Sequence, residues 1–256
     1  MEKTSGDSPA FTFNQKIIIA ILALLQFTVI LDFMVISPLG DILMKTLDMT
    51  TSNFGFAVSA YAFSAGISGL LAAGFADKKN KKKLLIFFYT GFIIGTVFCA
   101  LSSSYMMLLM ARIVTGLFGG VIGSVSLAIV TDLFVIHQRG RVMGFIQMAF
   151  ATSQILGIPV GLYFANNWGW HSAFIMIAVL GVLILIAIIT QMQPIVKHLE
   201  VQSDKSPFLH LWHTLSNKQY QIGFASIAFL SVGGFMLQPF GSAFLVNNIK
   251  ISHLEL

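Results

Sequence analysis

Lys16-Ile-Ile-Ile-Ala-Ile-Leu-Ala-Leu-Leu-Gln-Phe-Thr-Val-Ile-Leu-Asp-Phe-Met-Val-Ile-Ser-Pro-Leu39 runs for 24 residues with one ionisable side chain, Asp32, after its leading lysine. A helix of about 20 apolar residues crosses the hydrocarbon of a bilayer. The pattern recurs at Asn53 to Ala76, Leu84 to Ser103, Tyr105 to Thr131, Val142 to Ala165, Ser172 to Met192 and Gln219 to Asn247. Together these stretches predict seven helices and an all-α membrane protein. Strands are excluded at this length, because a lipid-facing segment must satisfy its own backbone N–H and C=O groups. The third and fourth runs are separated by Leu101 to Tyr105 and the fifth and sixth by Asn166 to His171, so each pair must form a tight helical hairpin.

Composition agrees. The 256 residues are 56% hydrophobic and 10% charged, with a mean hydropathy of +0.85, whereas soluble domains carry about a quarter charged residues. The net charge of +5 does not call for nucleic acid, because the basic residues sit in short loops between apolar runs, where they orient the chain in a bilayer. Cys99, the single cysteine, can form no internal disulfide and offers no metal-ligand spacing. His198, His210 and His213 read as solvated residues, with no carboxylate or thiolate partner nearby for a metal. A Gly-rich nucleotide loop with Lys and Ser/Thr is missing, and the histidines lie in loops or at helix ends, so neither ATP hydrolysis nor another enzyme is expected. No cofactor is expected other than protons as a coupling ion.

Lys78, Lys79, Lys81, Lys82 and Lys83 follow the second run, Arg139 and Arg141 the fourth, and Lys197, Lys205 and Lys218 the sixth, whereas the opposite loops hold only Lys45 and Lys250. The positive-inside rule makes the amino terminus and the basic loops cytoplasmic, with a bacterial plasma membrane the expected location. The first run lacks a convincing cleavage site and reads as a retained helix. The longest polar stretch, Gln193 to Lys218, divides the chain into a six-helix bundle (1–192), a linker (193–218) and the first helix of an incomplete second bundle (219–256). Within the linker, Phe208 to Trp212 could lie as a short helix on the membrane surface. Asp77 before its lysines and Asp132 before Arg139 and Arg141 echo each other, as two three-helix repeats would.

Asp32 and Arg112 are the charges set deep in their helices, and burying either alone is costly. Asp32 lies seven positions before the end of the first run and Arg112 seven after the start of the fourth. Both then sit roughly 10 Å below the same surface. Two readings follow: a proton-coupling pair, in which Asp32 takes up and releases a proton while Arg112 favours its charged form, or a permanent ion pair that fixes packing. Gln26 and Thr28 share part of the Asp32 face and could line a polar path, although Thr28 could equally bond to a carbonyl one turn earlier. In the fourth run Gly116, Gly120 and Ser124 form one stripe and Gly119 and Gly123 another, allowing close helix approach. The fifth run places Gln147 and Gln154 on one face and continues into Gly157-Ile-Pro159-Val-Gly161, where the proline permits a hinge.

Ala73-Gly-Phe-Ala-Asp77-Lys-Lys-Asn-Lys-Lys82 resembles the loop between helices two and three of the major facilitator superfamily, Gly-x-Leu-Ala-Asp-Arg-x-Gly-Arg-Arg or close to it. It departs at Ala73 for Gly, Phe75 for Leu, Lys for Arg and Asn80 for the turn Gly, the last a mild change because Asn tolerates left-handed backbone. Arg112-Ile-Val-Thr-Gly116 is similar to the family's Arg-x-x-x-Gly motif of helix four. Gly157-Ile-Pro159-Val-Gly161 resembles the antiporter motif of helix five with the proline moved by one place. Leu31-Asp32, and Trp168-Gly-Trp170-His171 with Phe174, suit the drug:proton antiporter branches, His171 standing where Arg is usual.

The resemblance implies two six-helix halves that rock to expose a central cavity alternately to each side. It implies a cytoplasmic gate at Asp77, Lys78, Lys81 and Lys82, shared by the echoing Asp132, Arg139 and Arg141. It also makes Arg112 the proton-relay partner and Pro159 with Gly157 and Gly161 a helix-five interface. The lysine run would in addition attract anionic lipid headgroups. The family has twelve helices or more, so the chain is expected to be a partial one that needs a missing carboxy-terminal half, or another chain, for a complete pathway. The leading expectation is proton-coupled efflux of small amphipathic organic compounds, with Phe, Met, Gln26, Gln147 and Gln154 lining the cavity. The alternatives are proton-coupled uptake of a sugar or organic anion, and a non-transporting membrane receptor or scaffold.

Overall fold

A computed structural model describes residues 11–72, 79–195, 216–235 and 244. Asp77, Lys78 and the segment from Phe208 to Trp212 lie outside the described residues. Thr12 opens α1 (Phe13–Val35) with a capping box: its hydroxyl accepts the Gln15 N–H at 3.3 Å and the Gln15 side chain accepts the Thr12 N–H at 2.9 Å. The helix ends at Val35 and not at Leu39, because Pro38 has no N–H to extend it. The chain turns through Ser37 into the short α2 (Gly40–Thr46), held by a 2.7 Å Lys45–Asp41 bond, and buries Ile36, Leu39 and Leu43. Asp32 is therefore three residues from the end of its helix, with α2 extending cover beyond it.

The next spans are α3 (Thr51–Ala72), α4 (Lys81–Ala100) and α5 (Tyr105–Leu133). Asn80 is not left-handed: at φ −58° it caps α4, its side-chain oxygen accepting the Lys82 and Lys83 N–H groups. Lys81, Lys82 and Lys83 thus form the first turn of α4 and not a loop. Ser104 caps α5 in the same way, accepting the Met107 N–H at 3.3 Å, so α4 and α5 form the tight hairpin that was expected.

The fifth span begins at Ile136, not Val142, which puts Arg139 and Arg141 inside a helix. It consists of α6 (Ile136–Thr152), a π-helical turn (Ser153–Gly157) and α7 (Ile158–Trp168). Only Gly169 and Trp170 separate it from α8 (His171–Gln191); Gly169 takes φ 85°, ψ 156°, a conformation essentially confined to glycine. In the seventh run residues Lys218–Phe235 form α9, and apart from Phe244 the rest of that run lies outside the described residues. Among the described residues six helical segments are long and apolar enough to cross a membrane, and no strand occurs.

The six spans pack chiefly as α3 on α5, α5 on α4, α4 on α8, and α1 on α6 and α8. Small residues set the closest approaches. A Cβ at Gly116 would collide with Ser64 and the Tyr61 backbone, and one at Gly120 with the Ala65 backbone; Gly123, by contrast, faces open space. One core cluster, including Leu22, Leu25, Tyr89, Ile122 and Ile188, fills the end that carries the basic residues. A second, including Leu31, Leu43, Phe54, Leu108 and Phe174, fills the opposite end. The deep charges lie where the two clusters meet.

Candidate functional site

Asp32 on α1 and Arg112 on α5 meet. Arg112 Nη1 donates to Asp32 Oδ2 at 2.7 Å and to the Asp32 backbone oxygen at 3.1 Å, and both side chains are 0% exposed. Asp32 Oδ1 accepts the Thr96 hydroxyl of α4 at 3.2 Å, a hydroxyl that also reaches the Phe92 carbonyl at 3.1 Å. Arg112 Nε and Nη2 are buried and reach no oxygen or nitrogen acceptor among the described residues. The Tyr61 ring of α3 lies over the guanidinium instead, 4.4 Å from its central carbon to the ring centroid. The sulfur of buried Cys99 lies beside Arg112 and Thr115. Four spans, α1, α3, α4 and α5, thus converge on one carboxylate and one guanidinium, with an aromatic face and a thiol closing the rest.

One helical turn toward the basic end, the buried Thr28 hydroxyl bonds the Leu25 carbonyl and the Tyr89 hydroxyl, each at 2.8 Å. It is therefore both a local back-bond and a second polar link between α1 and α4. Gln26 is half-buried and Gln147 and Gln154 are exposed, and none of the three bonds to the pair. Gly157 and Gly161 seat the fifth span on α1: a Cβ there would come within 2.8 Å of Leu31 Cδ1 and 2.9 Å of Val35 Cγ2. Pro159 is exposed just past the π turn, whose wide loop carries the irregularity: the Ile158 N–H reaches back to Ser153.

At the basic end, Lys81 Nζ pairs with Asp132 at 2.8 Å and donates to the Ala128 carbonyl at 3.3 Å, with only 4% of its side chain exposed. Lys82 Nζ donates to the Ile189 carbonyl at 2.8 Å and to that of Met192, capping the end of α8. Arg139 donates to the Phe134 and Thr131 carbonyls at 3.0 and 2.7 Å, capping the end of α5. Arg141 lies 4.5 Å over the Phe11 ring. Cations at the carboxyl ends of helices meet orphan carbonyls and the negative end of the dipole, which accounts for Lys82 and Arg139.

Tyr61, Thr96, Tyr89 and Cys99 were not singled out by charge. The signal that could have found Thr96 is its depth: it lies four residues from the end of α4, within a turn of the level of Asp32.

The profile of the Major Facilitator Superfamily matches residues 22–255. The chain belongs to that superfamily. Among its relatives, "Uncharacterized MFS-type transporter YceJ" of Bacillus subtilis is 29% identical over 177 residues, covering 66% of this chain and 43% of that protein. "Multidrug resistance protein fnx1" of Schizosaccharomyces pombe is 28% identical over 170 residues, covering 66% of this chain and 32% of that protein. This superfamily chain thus spans less than half the length of either relative. A solved structure of a bacterial homolog of the human lysosomal transporter Spinster, inward-facing and unoccupied, superposes with a TM-score of 0.75 at 18% identity, over 96% of this chain and 58% of that one. That likeness fixes the fold.

Proposed function

We propose that this superfamily chain forms the amino-terminal half of a secondary transporter that exports small amphipathic organic compounds in exchange for protons, by alternating access. The observation that carries the reading is the fully buried Asp32–Arg112 pair, 2.7 Å apart and drawn from the first and fourth spans. A buried ion pair is a poor stabiliser, because desolvating two charges offsets most of their attraction and a well-packed apolar pair does as well. Its retention in a membrane interior fits a working role. In the state described, Arg112 and Thr96 satisfy the Asp32 carboxylate. Proton uptake by Asp32 removes the attraction to Nη1 and lets α1 and α5 separate, and release of the proton re-forms the bond.

The choice of drug-like compounds draws support from the relative fnx1, a multidrug resistance protein. The basic end is read as cytoplasmic, in a bacterial plasma membrane, with Lys81–Asp132 and the Lys82 and Arg139 caps closing the bundle there. Asp77 and Lys78 are assigned to the same gate, and the lysines to anionic lipid headgroups as well. A complete pathway takes the opposing half as its other wall. Proton flux into vesicles that contain the complete protein, native against Asp32→Asn, tests the reading. Loss of coupled flux with the bundle still folded is expected; unchanged flux removes Asp32 from the mechanism.

A further inference from the structure

Taking up a proton at Asp32 would leave Arg112 as a buried cation facing a neutral acid, an arrangement that costs several kcal/mol unless another partner stays in place. Arg112 has such a partner. Nη1 is committed to Asp32, Nε and Nη2 find no oxygen or nitrogen among the described residues, and the Tyr61 ring covers the guanidinium at 4.4 Å. The neighbouring residues are shaped to hold that ring. Arg112, Gly116 and Gly119 share one face of α5 at spacings of four and three. A side chain at Gly116 would collide with the Tyr61 backbone, and one at Gly119 would come within 2.8 Å of the Tyr61 hydroxyl. On its other side the ring packs on Phe33, the residue after Asp32, at 5.2 Å between centroids.

We propose that Tyr61 is a positioning residue for the pair, its aromatic face holding Arg112 in place and stabilising its charge while Asp32 carries a proton. The proposal rests on the proton-coupling reading of Asp32. The groups facing Asp32 are Arg112 from α5, Thr96 and Cys99 from α4, and Tyr61 from α3. On the other helices packed against α1, the titratable side chains are His137, Arg139 and Arg141 at the basic end, the exposed Tyr163 on α7 and His171 at the start of α8. Arg139 and His171 are engaged with backbone carbonyls and Arg141 with the Phe11 ring. A cation–π contact gains strength when desolvated and when the competing anion is neutralised. Losing the ring therefore penalises the protonated state of Asp32 more than the ionised one.

Infrared spectroscopy of the complete protein in lipid reads this without a transported compound: the carboxylic-acid C=O band that disappears in Asp32→Asn reports the proton on Asp32. Tyr61→Phe, which keeps the ring, should titrate that band as the native protein does. Tyr61→Leu should need about one pH unit more acid, a tenfold loss of proton affinity. Tyr61→Met serves the same purpose should the leucine variant not fold, with thermal unfolding as the control for both. Equal midpoints in all three proteins, or a shift in Tyr61→Phe as large as in Tyr61→Leu, would overturn the role of the ring. An Asp32 band that never appears at any pH overturns the proton-coupling reading and this proposal together. A shifted band with proton flux unchanged in Asp32→Asn would sink the transport reading alone.

Discussion

Removing the charges of the Asp32–Arg112 pair one at a time and then together measures how strongly the two depend on each other. Arg112→Met deletes a 2.7 Å charge-assisted bond and a 3.1 Å bond to the backbone oxygen, leaving a fully buried carboxylate with the Thr96 hydroxyl alone. Breaking one side of a buried pair costs about 3–5 kcal/mol, most of it the unpartnered charge left behind. Asp32→Asn leaves the opposite charge in the same position and should cost a similar amount. The double variant buries no net charge and should be at least about 2 kcal/mol less destabilised than the two single costs added together. Cys99, the one cysteine in these 256 residues, provides the assay, because it is buried against Arg112. Labelling with a maleimide across an SDS titration reports opening of the bundle at that point. Relative to additivity, the double variant should label about 30-fold more slowly, since each 1.4 kcal/mol is a factor of ten. Additive effects within about 0.5 kcal/mol would refute the dependence of one charge on the other.

At the basic end, Lys81→Met removes the 2.8 Å ion-pair partner of the largely buried Asp132 and should lower the detergent unfolding temperature more than Lys82→Met, which loses a helix cap worth about 0.3–1 kcal/mol; the reverse order would contradict the assigned roles. Gly120→Leu drives a side chain into the Ala65 backbone and should cost about 1–3 kcal/mol or part α3 from α5, seen as faster hydrogen exchange in both helices. Gly123→Leu, which faces open space, should leave both unchanged. Gly169→Ala forces a side chain into a glycine-only conformation and should cost about 1–3 kcal/mol, read by the same thermal unfolding.

Span number and the meeting of Asp32 with Arg112 were legible because both follow from large penalties: a bilayer admits only long apolar helices, and an isolated buried charge demands a partner. What escaped was governed by small local preferences. The positions of Lys81 and Arg139 in helices and not in loops depend on where a cap falls, and a capping side chain shifts a boundary for about 1 kcal/mol. Asn80 illustrates the ambiguity, since the same side chain suits a left-handed turn and an N-cap, and nothing in a single sequence decides between them. The Tyr61 and Thr96 contacts were hidden for another reason: neither residue is charged, so neither raises an alarm inside an apolar run, and their relevance arises only once four helices converge. Pro159 drew attention to the fifth span, where the irregular backbone lies in the widened turn Ser153–Gly157 that precedes it, a feature that no residue type announces.

The corner between α7 and α8 consists of two residues, one of them locked by a backbone angle that only glycine holds. So short an elbow, with α7 and α8 packed on each other, ties that part of the fifth span to the sixth. The π turn of that span separates α7, which packs on α8, from α6, which packs on α1, and its last residue, Gly157, seats the joint on α1 beside Leu31 and its aspartate.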